Sequence, residues 1–290
     1  MVKTYSELYH EVRHALFETQ GADASQIARE LVCAASGLPI SEIVSGRTTH
    51  ADAAATQKLQ SYVERIQNGE PLAYVLGEWD FCGMTLTVTP DVLIPRDDTM
   101  AVTELAMKKA MFLSQNPRIL DLCAGSGCIG LALAHRVKDA RVTLGELSPA
   151  AIRVAKKNIV DQRLTGRVNC ITVDAMKPAS KFLGTFDMIV SNPPYVTDEE
   201  YERLDPSVRD FEPKMALVGG ADGLDFYRAI VKNFSSALKP GGFLCFEFGM
   251  GQHDAVREIL EQHRYNVLQM REDTGNIIRA VLAQYKGEET

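Results

Sequence analysis

The chain has 290 residues, 46% of them hydrophobic and 24% charged, and a net charge of −7. That length suits one large α/β domain with a small accessory one, and the balance excludes disordered, collagen-like and disulfide-scaffold classes. No apolar run reaches the ~18 residues of a membrane span, and Met1-Val2-Lys3-Thr4-Tyr5-Ser6-Glu7 lacks the apolar core of a signal peptide. A cytoplasmic chain with no membrane partner is expected.

Residues 4–69 read as helical. Thr4 with Glu7 forms a capping box and Gly21 ends the first helix. Asp23 with Gln26 opens a second, Ala24 to Ser36, closed by Gly37. Leu38-Pro39 breaks the chain, a short helix runs to Ser45-Gly46, and Thr49 caps a longer one to Asn68-Gly69. Residues 1–80 carry 6 Lys+Arg against 11 Asp+Glu, a net of −5, which suits a basic protein partner better than a phosphate backbone. Domains are therefore expected at 1–70 (helical), 71–95 (a β-hairpin linker around Phe81-Cys82-Gly83-Met84) and 96–290.

Within the first helix, His10-Glu11-Val12-Arg13-His14 matches the zinc-protease pattern H-E-x-x-H. Tyr5, Leu8, Val12, Ala15 and Leu16 share the apolar face, and both histidines lie ~160° from Val12, on the solvated side. No metal site is expected there.

After Pro95, strands at Arg118–Leu122, Arg141–Glu146, Val168–Val173, Phe186–Ser191 and Gly242–Phe248 alternate with helices at Cys128–Val137, from Pro149 to Val160, at Asp225–Leu238 and at Gln252–His263. The alternation predicts a doubly wound, mostly parallel sheet with helices on both faces. Tyr265–Met270 and Asn276–Leu282 have no crossover helix between them, so one of them is antiparallel.

Cys123-Ala124-Gly125-Ser126-Gly127-Cys128-Ile129-Gly130 follows the first of these strands and opens a helix, a G-x-G-x-x-G ligand loop. Glu146, at the end of the next strand, stands where a ribose-binding carboxylate is expected. Asp121, Glu146 and Asp174 line up along the carboxyl edge of the sheet. That edge suits a sulfonium cation, as in S-adenosylmethionine, better than a dinucleotide pyrophosphate.

The strand Phe186–Ser191 runs into Asn192-Pro193-Pro194-Tyr195. The prolines fix the backbone and remove two N–H donors. The Asn192 side-chain oxygen and the Pro193 carbonyl could together hold both hydrogens of a planar NH₂ group. Its lone pair would then point at a methyl donor, and the developing positive charge would be favoured. Tyr195 could pack on the planar group.

Asn-Pro-Pro-Tyr after a strand resembles the enzymes that methylate planar amino groups of adenine, cytosine or glutamine with S-adenosylmethionine. Pro71–Glu78, Val92-Leu93-Ile94-Pro95-Arg96, Glu212-Pro213 to Ala216-Leu217, Gly219–Leu224 and Phe226-Tyr227-Arg228 narrow the likeness. Together they resemble the HemK/PrmC group, the protein-(glutamine-N5) methyltransferases of peptide chain release factors, over residues 70–283. The resemblance implies a class I methyltransferase (Rossmann-like) fold with an antiparallel terminal strand, and S-adenosylmethionine as cofactor with S-adenosylhomocysteine as product. It implies release factors as partners in translation termination, with residues 1–70 as the substrate-recognition domain; the acidic net charge leaves no stable nucleic-acid partner expected. Carried over by position, Asp121, Cys123, Ala124, Gly125, Ser126, Gly127, Glu146, Asp174, Ala175 and Asn192 contact the cofactor. Asn192, Pro193, Pro194 and Tyr195 hold the glutamine, with Asn192, Pro193 and Tyr195 acting in catalysis. The chain departs from the family pattern at Cys123-Ala124, Asp97, Met100 and Ala175. The rival readings are an N6-adenine or N4-cytosine nucleic-acid methyltransferase, which the acidic charge disfavours, and a nicotinamide oxidoreductase, which has no use for Asn192–Tyr195.

Overall fold

The computed structural model describes residues 3–44, 49–113 and 115–287. The chain divides into two compact units, Met1–Gly77 with Pro206–Phe211, and Glu78–Asp205 with Glu212–Thr290. Among the described residues no helix is long and apolar enough to cross a membrane.

In the smaller unit, α1 (Tyr5–Gln20) starts on the expected capping box. Thr4 Oγ1 takes the Glu7 N–H at 3.2 Å, and the Glu7 carboxylate takes the Thr4 N–H at 2.8 Å. Gly21, at φ +52°, ends it. Next, α2 (Ala24–Ser36) closes on left-handed Gly37, as read. Asp23 does not cap it, however. It sits in helical geometry inside a 3-10 turn, Gly21–Asp23, where its side chain cannot reach back to the first free N–H groups. Following α3 (Ile40–Val44), the expected stop at Ser45-Gly46 lies outside the described residues, as do Met1 and Val2. The cap of α4 (Ala53–Gln67) is Asp52, taking the Ala55 N–H at 2.6 Å, not Thr49. Thr49 instead gives its carbonyl to the Tyr5 N–H at 3.1 Å, tying the two helix starts together. A fifth short helix, α5 (Leu72–Leu76), ends at Gly77. Leu8, Val12, Leu16, Leu31, Val32, Leu59 and Ile66 fill the core, and His10 and His14 are exposed on the far side of α1.

The larger unit opens with a hairpin, β1 (Glu78–Phe81) and β2 (Met84–Thr87). Its two-residue turn, Cys82-Gly83, has both φ angles positive, as a tight hairpin of this handedness requires. There follow α6 (Met100–Ala110), β3 (Arg118–Leu122), α7 (Cys128–Arg136), β4 (Arg141–Glu146), α8 (Pro149–Asp161), β5 (Val168–Thr172) and β6 (Phe186–Ser191). After short α9 (Asp198–Tyr201) and α10 (Pro206–Arg209, in the smaller unit) come α11 (Asp225–Phe234), β7 (Leu238–Glu247), α12 (His253–Gln262), β8 (Tyr265–Glu272) and β9 (Ile278–Tyr285). Periodicity does not announce α6, because Ala101, Val102, Thr103, Leu105, Ala106 and Ala110 are buried all round it and leave no single apolar stripe.

The sheet order is β5-β4-β3-β6-β7-β9-β8. Strands β3 to β7 are parallel, and β9 is antiparallel to both its neighbours. The chain leaves β3 towards β5, then returns to lay β6 on β3's other side. The crevice for a ligand therefore opens between the carboxyl ends of β3 and β6. Central strands are buried on both faces: Ile119, Leu144 and Val190 meet one helical layer, and Leu120, Ile189 and Phe246 the other. The hairpin is stitched to α8 by Asn158, which accepts from Thr87 N at 2.7 Å and donates to Thr87 O at 3.0 Å. The same amide donates to Ser126 O at 3.0 Å, fixing the glycine loop from behind.

Candidate active site

Beyond β3 the chain turns through Cys123, Gly125 and Gly127, all with positive φ, and Gly127 begins α7. Cys123 holds a left-handed conformation without being glycine, which costs roughly 1–3 kcal/mol and marks a tightly determined turn. The third glycine of the fingerprint serves packing: a Cβ on Gly130 would lie 2.3 Å from Leu144 Cδ2 and 2.9 Å from Asp121 Oδ2. Asp121 turns inward to take the Gly130 N–H at 2.8 Å, and its Oδ1 is buried with no partner among the described residues. Burial pushes its pKa up to about 7 against that bond, and the negative charge of Glu146 adds to the rise.

Glu146, 8% exposed, organises the mouth of the loop. Its Oε1 accepts from Leu147 N at 2.7 Å and Ser148 N at 2.8 Å, and its Oε2 from Gly125 N at 2.9 Å. With about two lone pairs per oxygen, Oε2 keeps one free for an external hydroxyl. Asp174 accepts from Met176 N at 3.0 Å and pairs with Lys177 at 3.1 Å. The Lys177 bond, then the Met176 bond, hold its pKa down.

These groups border a solvent-open cleft with about 710 Å³ of free space. Of the residues singled out in the sequence, Cys123, Gly125, Glu146, Asp174, Ala175, Asn192 and Pro194 line it. Asp121, Ala124, Ser126, Gly127, Pro193 and Tyr195 do not line it but shape the two loops that do. The cleft also draws on Asp91-Val92-Leu93, on Pro213, Met215 and Ala216, and on Phe226. Those segments stand out in the sequence only by resemblance, since they carry no chemical pattern of their own. Glu212, 4% exposed, explains the proximity of two of them: it accepts from Ile94 N at 3.1 Å and pairs with Arg96, pinning that strap to the segment before Pro213. Three carboxylates, Asp91, Glu146 and Asp174, face the cleft, and among the described residues no Lys or Arg lines it. The lining carboxylates suit a cationic ligand bearing a ribose, and among the described residues the lining offers no side-chain cation to a pyrophosphate.

On the other side of the crevice, Ser191 Oγ donates to Leu122 O at 2.7 Å, locking the end of β6 to β3. Asn192 Nδ2 donates to Thr99 Oγ1 at 3.3 Å, which commits the amide nitrogen inward and leaves Oδ1 on the opposite edge. Val196 N donates to Leu217 O at 2.9 Å and Gly219 N to Val196 O at 2.8 Å, so residues 217–219 pair alongside the proline loop. Gln252 Nε2 donates to Tyr195 O at 3.0 Å, and burial raises the Tyr195 hydroxyl pKa.

Comparison with known proteins places this arrangement. Residues 7–77 match the PrmC N-terminal domain and residues 101–205 the methyltransferase small domain. A release factor glutamine methyltransferase of Clostridium acetobutylicum is 35% identical over 241 residues, 83% of this chain and 84% of its own. One of Geobacter sulfurreducens is 44% identical over 194 residues, 67% of this chain and 66% of its own. The solved structure of a methyltransferase from Pyrococcus furiosus shares the fold, with a TM-score of 0.52 at 20% identity over 79% of this chain and 100% of that one. The sheet with its antiparallel tail is thus that of a class I methyltransferase, and the chain belongs to the release factor glutamine methyltransferase family.

Proposed function

We infer that the chain transfers a methyl group from S-adenosylmethionine to the side-chain amide nitrogen of a glutamine in peptide chain release factors. The observation that carries this reading is the Asn192 amide, held by its nitrogen at the edge of an acid-lined cleft. When bound there, S-adenosylmethionine supplies an electrophilic methyl group on a sulfonium.

The remaining free lone pair of Glu146 Oε2 takes a ribose hydroxyl. The backbone of Cys123–Gly127, together with Asp174 and Ala175, frames the rest of the cofactor. An amide NH₂ is a poor nucleophile because its lone pair is delocalised into the carbonyl. Asn192 Oδ1 and the Pro193 carbonyl each accept one of its hydrogens. That pair of acceptors would orient the nitrogen lone pair and stabilise the positive charge growing on it as it is methylated. Pro194 and Tyr195 close the loop around the planar group. The small helical unit, with its acidic surface, recognises the release factor.

The test is labelled methyl transfer with purified release factor, DNA and RNA side by side, with the modified residue located by mass spectrometry. Label on one glutamine of the release factor is the expected result. Label in nucleic acid and none in the release factor would overturn the reading.

A further inference from the structure

The proline loop is gripped from behind by a glutamine of the chain itself. Gln252 stands at the start of α12, yet among the described residues its side chain caps none of that helix's N–H groups. It reaches across the β7–α12 turn instead. Its Oε1 accepts from Gly249 N at 2.9 Å, and its Nε2 donates to Tyr195 O at 3.0 Å and, at the long end of the range, to Gly223 O at 3.5 Å. A primary amide carries donors on its nitrogen and lone pairs on its oxygen. Here the nitrogen meets two carbonyl oxygens and the oxygen meets an N–H, so only one flip state satisfies all three neighbours.

The amide lies in a slot walled by two glycines. A Cβ on Gly223 would stand 2.3 Å from Tyr195 O and 2.6 Å from Gln252 Nε2. One on Gly249 would stand 3.1 Å from Gln252 Oε1 and 3.1 Å from Tyr195 Cδ2. Three separate segments thus meet at one side chain: the proline loop, the stretch 219–224 and the turn after β7.

What the clamp holds is the Tyr195–Val196 peptide. Its C=O accepts from Gln252, and its N–H, that of Val196, donates to Leu217 O at 2.9 Å. Both edges of that peptide plane are therefore fixed. At the entry to the loop, Ser191 Oγ is tied to Leu122 O at 2.7 Å. Between these anchors the φ angles of Pro193 and Pro194 are set by their rings. Little freedom is left to the Pro193 carbonyl and the Tyr195 ring, provided the Gln252 anchor holds.

We propose that Gln252 is a positioning residue: its amide clamps the Tyr195–Val196 peptide and so sets the Pro193 carbonyl and the Tyr195 ring for the substrate NH₂. This rests on the reading that Asn192–Tyr195 receives a glutamine amide. Methionine at 252 keeps the length of the side chain and removes all three bonds. Glutamate keeps the shape and the acceptor for Gly249 N. Once ionised, however, it turns a second oxygen on the carbonyls of Tyr195 and Gly223 and repels them.

The test is steady-state methylation of the release factor by full-length wild type, Gln252→Met and Gln252→Glu, at about pH 8, where a glutamate is ionised. Rates are taken well below each melting temperature. S-adenosylhomocysteine binding and amide hydrogen exchange, read by mass spectrometry, are measured alongside. Gln252→Met should lower kcat at least about tenfold, with KM for the release factor and S-adenosylhomocysteine affinity within about twofold of wild type. Gln252→Glu should be slower still. In both, the Tyr195 and Val196 amides should exchange at least about tenfold faster, while those of the glycine loop, residues 123–127, keep their wild-type rates. Wild-type kcat in Gln252→Met with only a lowered melting temperature would make Gln252 structural and overturn the proposal. So would unchanged exchange at Tyr195 and Val196, a loss confined to S-adenosylhomocysteine affinity, or a Gln252→Glu enzyme as fast as Gln252→Met. If Gln252→Met does not fold, Gln252→Asn, which draws the amide back by one methylene, carries the same expectations. A wild-type enzyme that leaves the release-factor glutamine unmodified would instead defeat the underlying reading, and this proposal with it.

Discussion

Gly219 lies so close to Pro194 that a Cβ on it would stand 2.5 Å from the Pro194 carbonyl oxygen and 2.8 Å from Tyr195 Cα. Those are backbone atoms, which cannot swing aside as a side-chain end can. The glycine-rich stretch after Leu217 is thus the mould against which the Asn192–Tyr195 loop is cast. Gly219→Ala should destabilise the protein by about 1–3 kcal/mol through overpacking and lower kcat more than it lowers cofactor affinity. Gly166, where a Cβ meets no atom of the described residues within 4 Å, supplies the control. Gly166→Ala should be neutral, or stabilising by up to ~1 kcal/mol. Thermal melts and methylation rates on both variants check the contrast, and similar behaviour of the two would refute it.

Asn192→Ala removes the acceptor proposed for the substrate NH₂. A loss of at least about 100-fold in turnover is expected, the scale of deleting one preorganised hydrogen-bond partner. Asn192→Asp keeps an acceptor of the same shape and should retain more activity than Asn192→Ala. Because Asn192 lines the cofactor cleft, S-adenosylmethionine affinity must be measured in parallel. A folded, cofactor-binding Asn192→Ala enzyme with near-normal rate would defeat the proposed role.

Glu146 serves two purposes that one variant separates. Its three backbone bonds hold the glycine loop and the start of α8, and its remaining lone pair faces the cleft. Glu146→Ala should weaken S-adenosylhomocysteine binding by ~1.5–3 kcal/mol and also lower the melting temperature of the free protein. Calorimetry reads the first effect and a thermal scan the second. Unchanged affinity with a lowered melting temperature would make Glu146 structural only.

Asp121 predicts a pH effect of definite sign. Its pKa in the folded chain is about 7, against 3.8 for an ordinary aspartate. Between those values the folded chain keeps a proton that the unfolded chain releases. The stability it contributes is therefore present below about pH 3.8 and lost as pH rises through about 7. Asp121→Asn, which still accepts from Gly130 N, should gain in melting temperature relative to wild type as pH is raised from about 5 to about 8. A difference that stays constant, or changes in the other direction, would show that Asp121 is ionised throughout that range.

Much of this molecule is written locally. The capping box at Thr4, the glycine stops at Gly21 and Gly37 and the run of β3 to β6 follow from spacing, because each depends on residues within a turn or two. The same holds for the glycine loop and for Asn192-Pro193-Pro194-Tyr195, whose chemistry sits in consecutive positions. Local reading fails where a partner from elsewhere changes the answer. Asp52, directly before Ala53, caps α4 in place of Thr49, whose carbonyl takes the distant Tyr5 N–H. The edge of β7 moved back to Leu238 because Phe186 pairs there across a bulge. Only the tertiary structure brings Thr99 to Asn192, from 93 positions away, and only it shows Asp121 turned into the core with one oxygen unpaired among the described residues. Sequence spacing determines which groups a segment can offer, whereas burial and long-range packing decide their protonation, their orientation and their company.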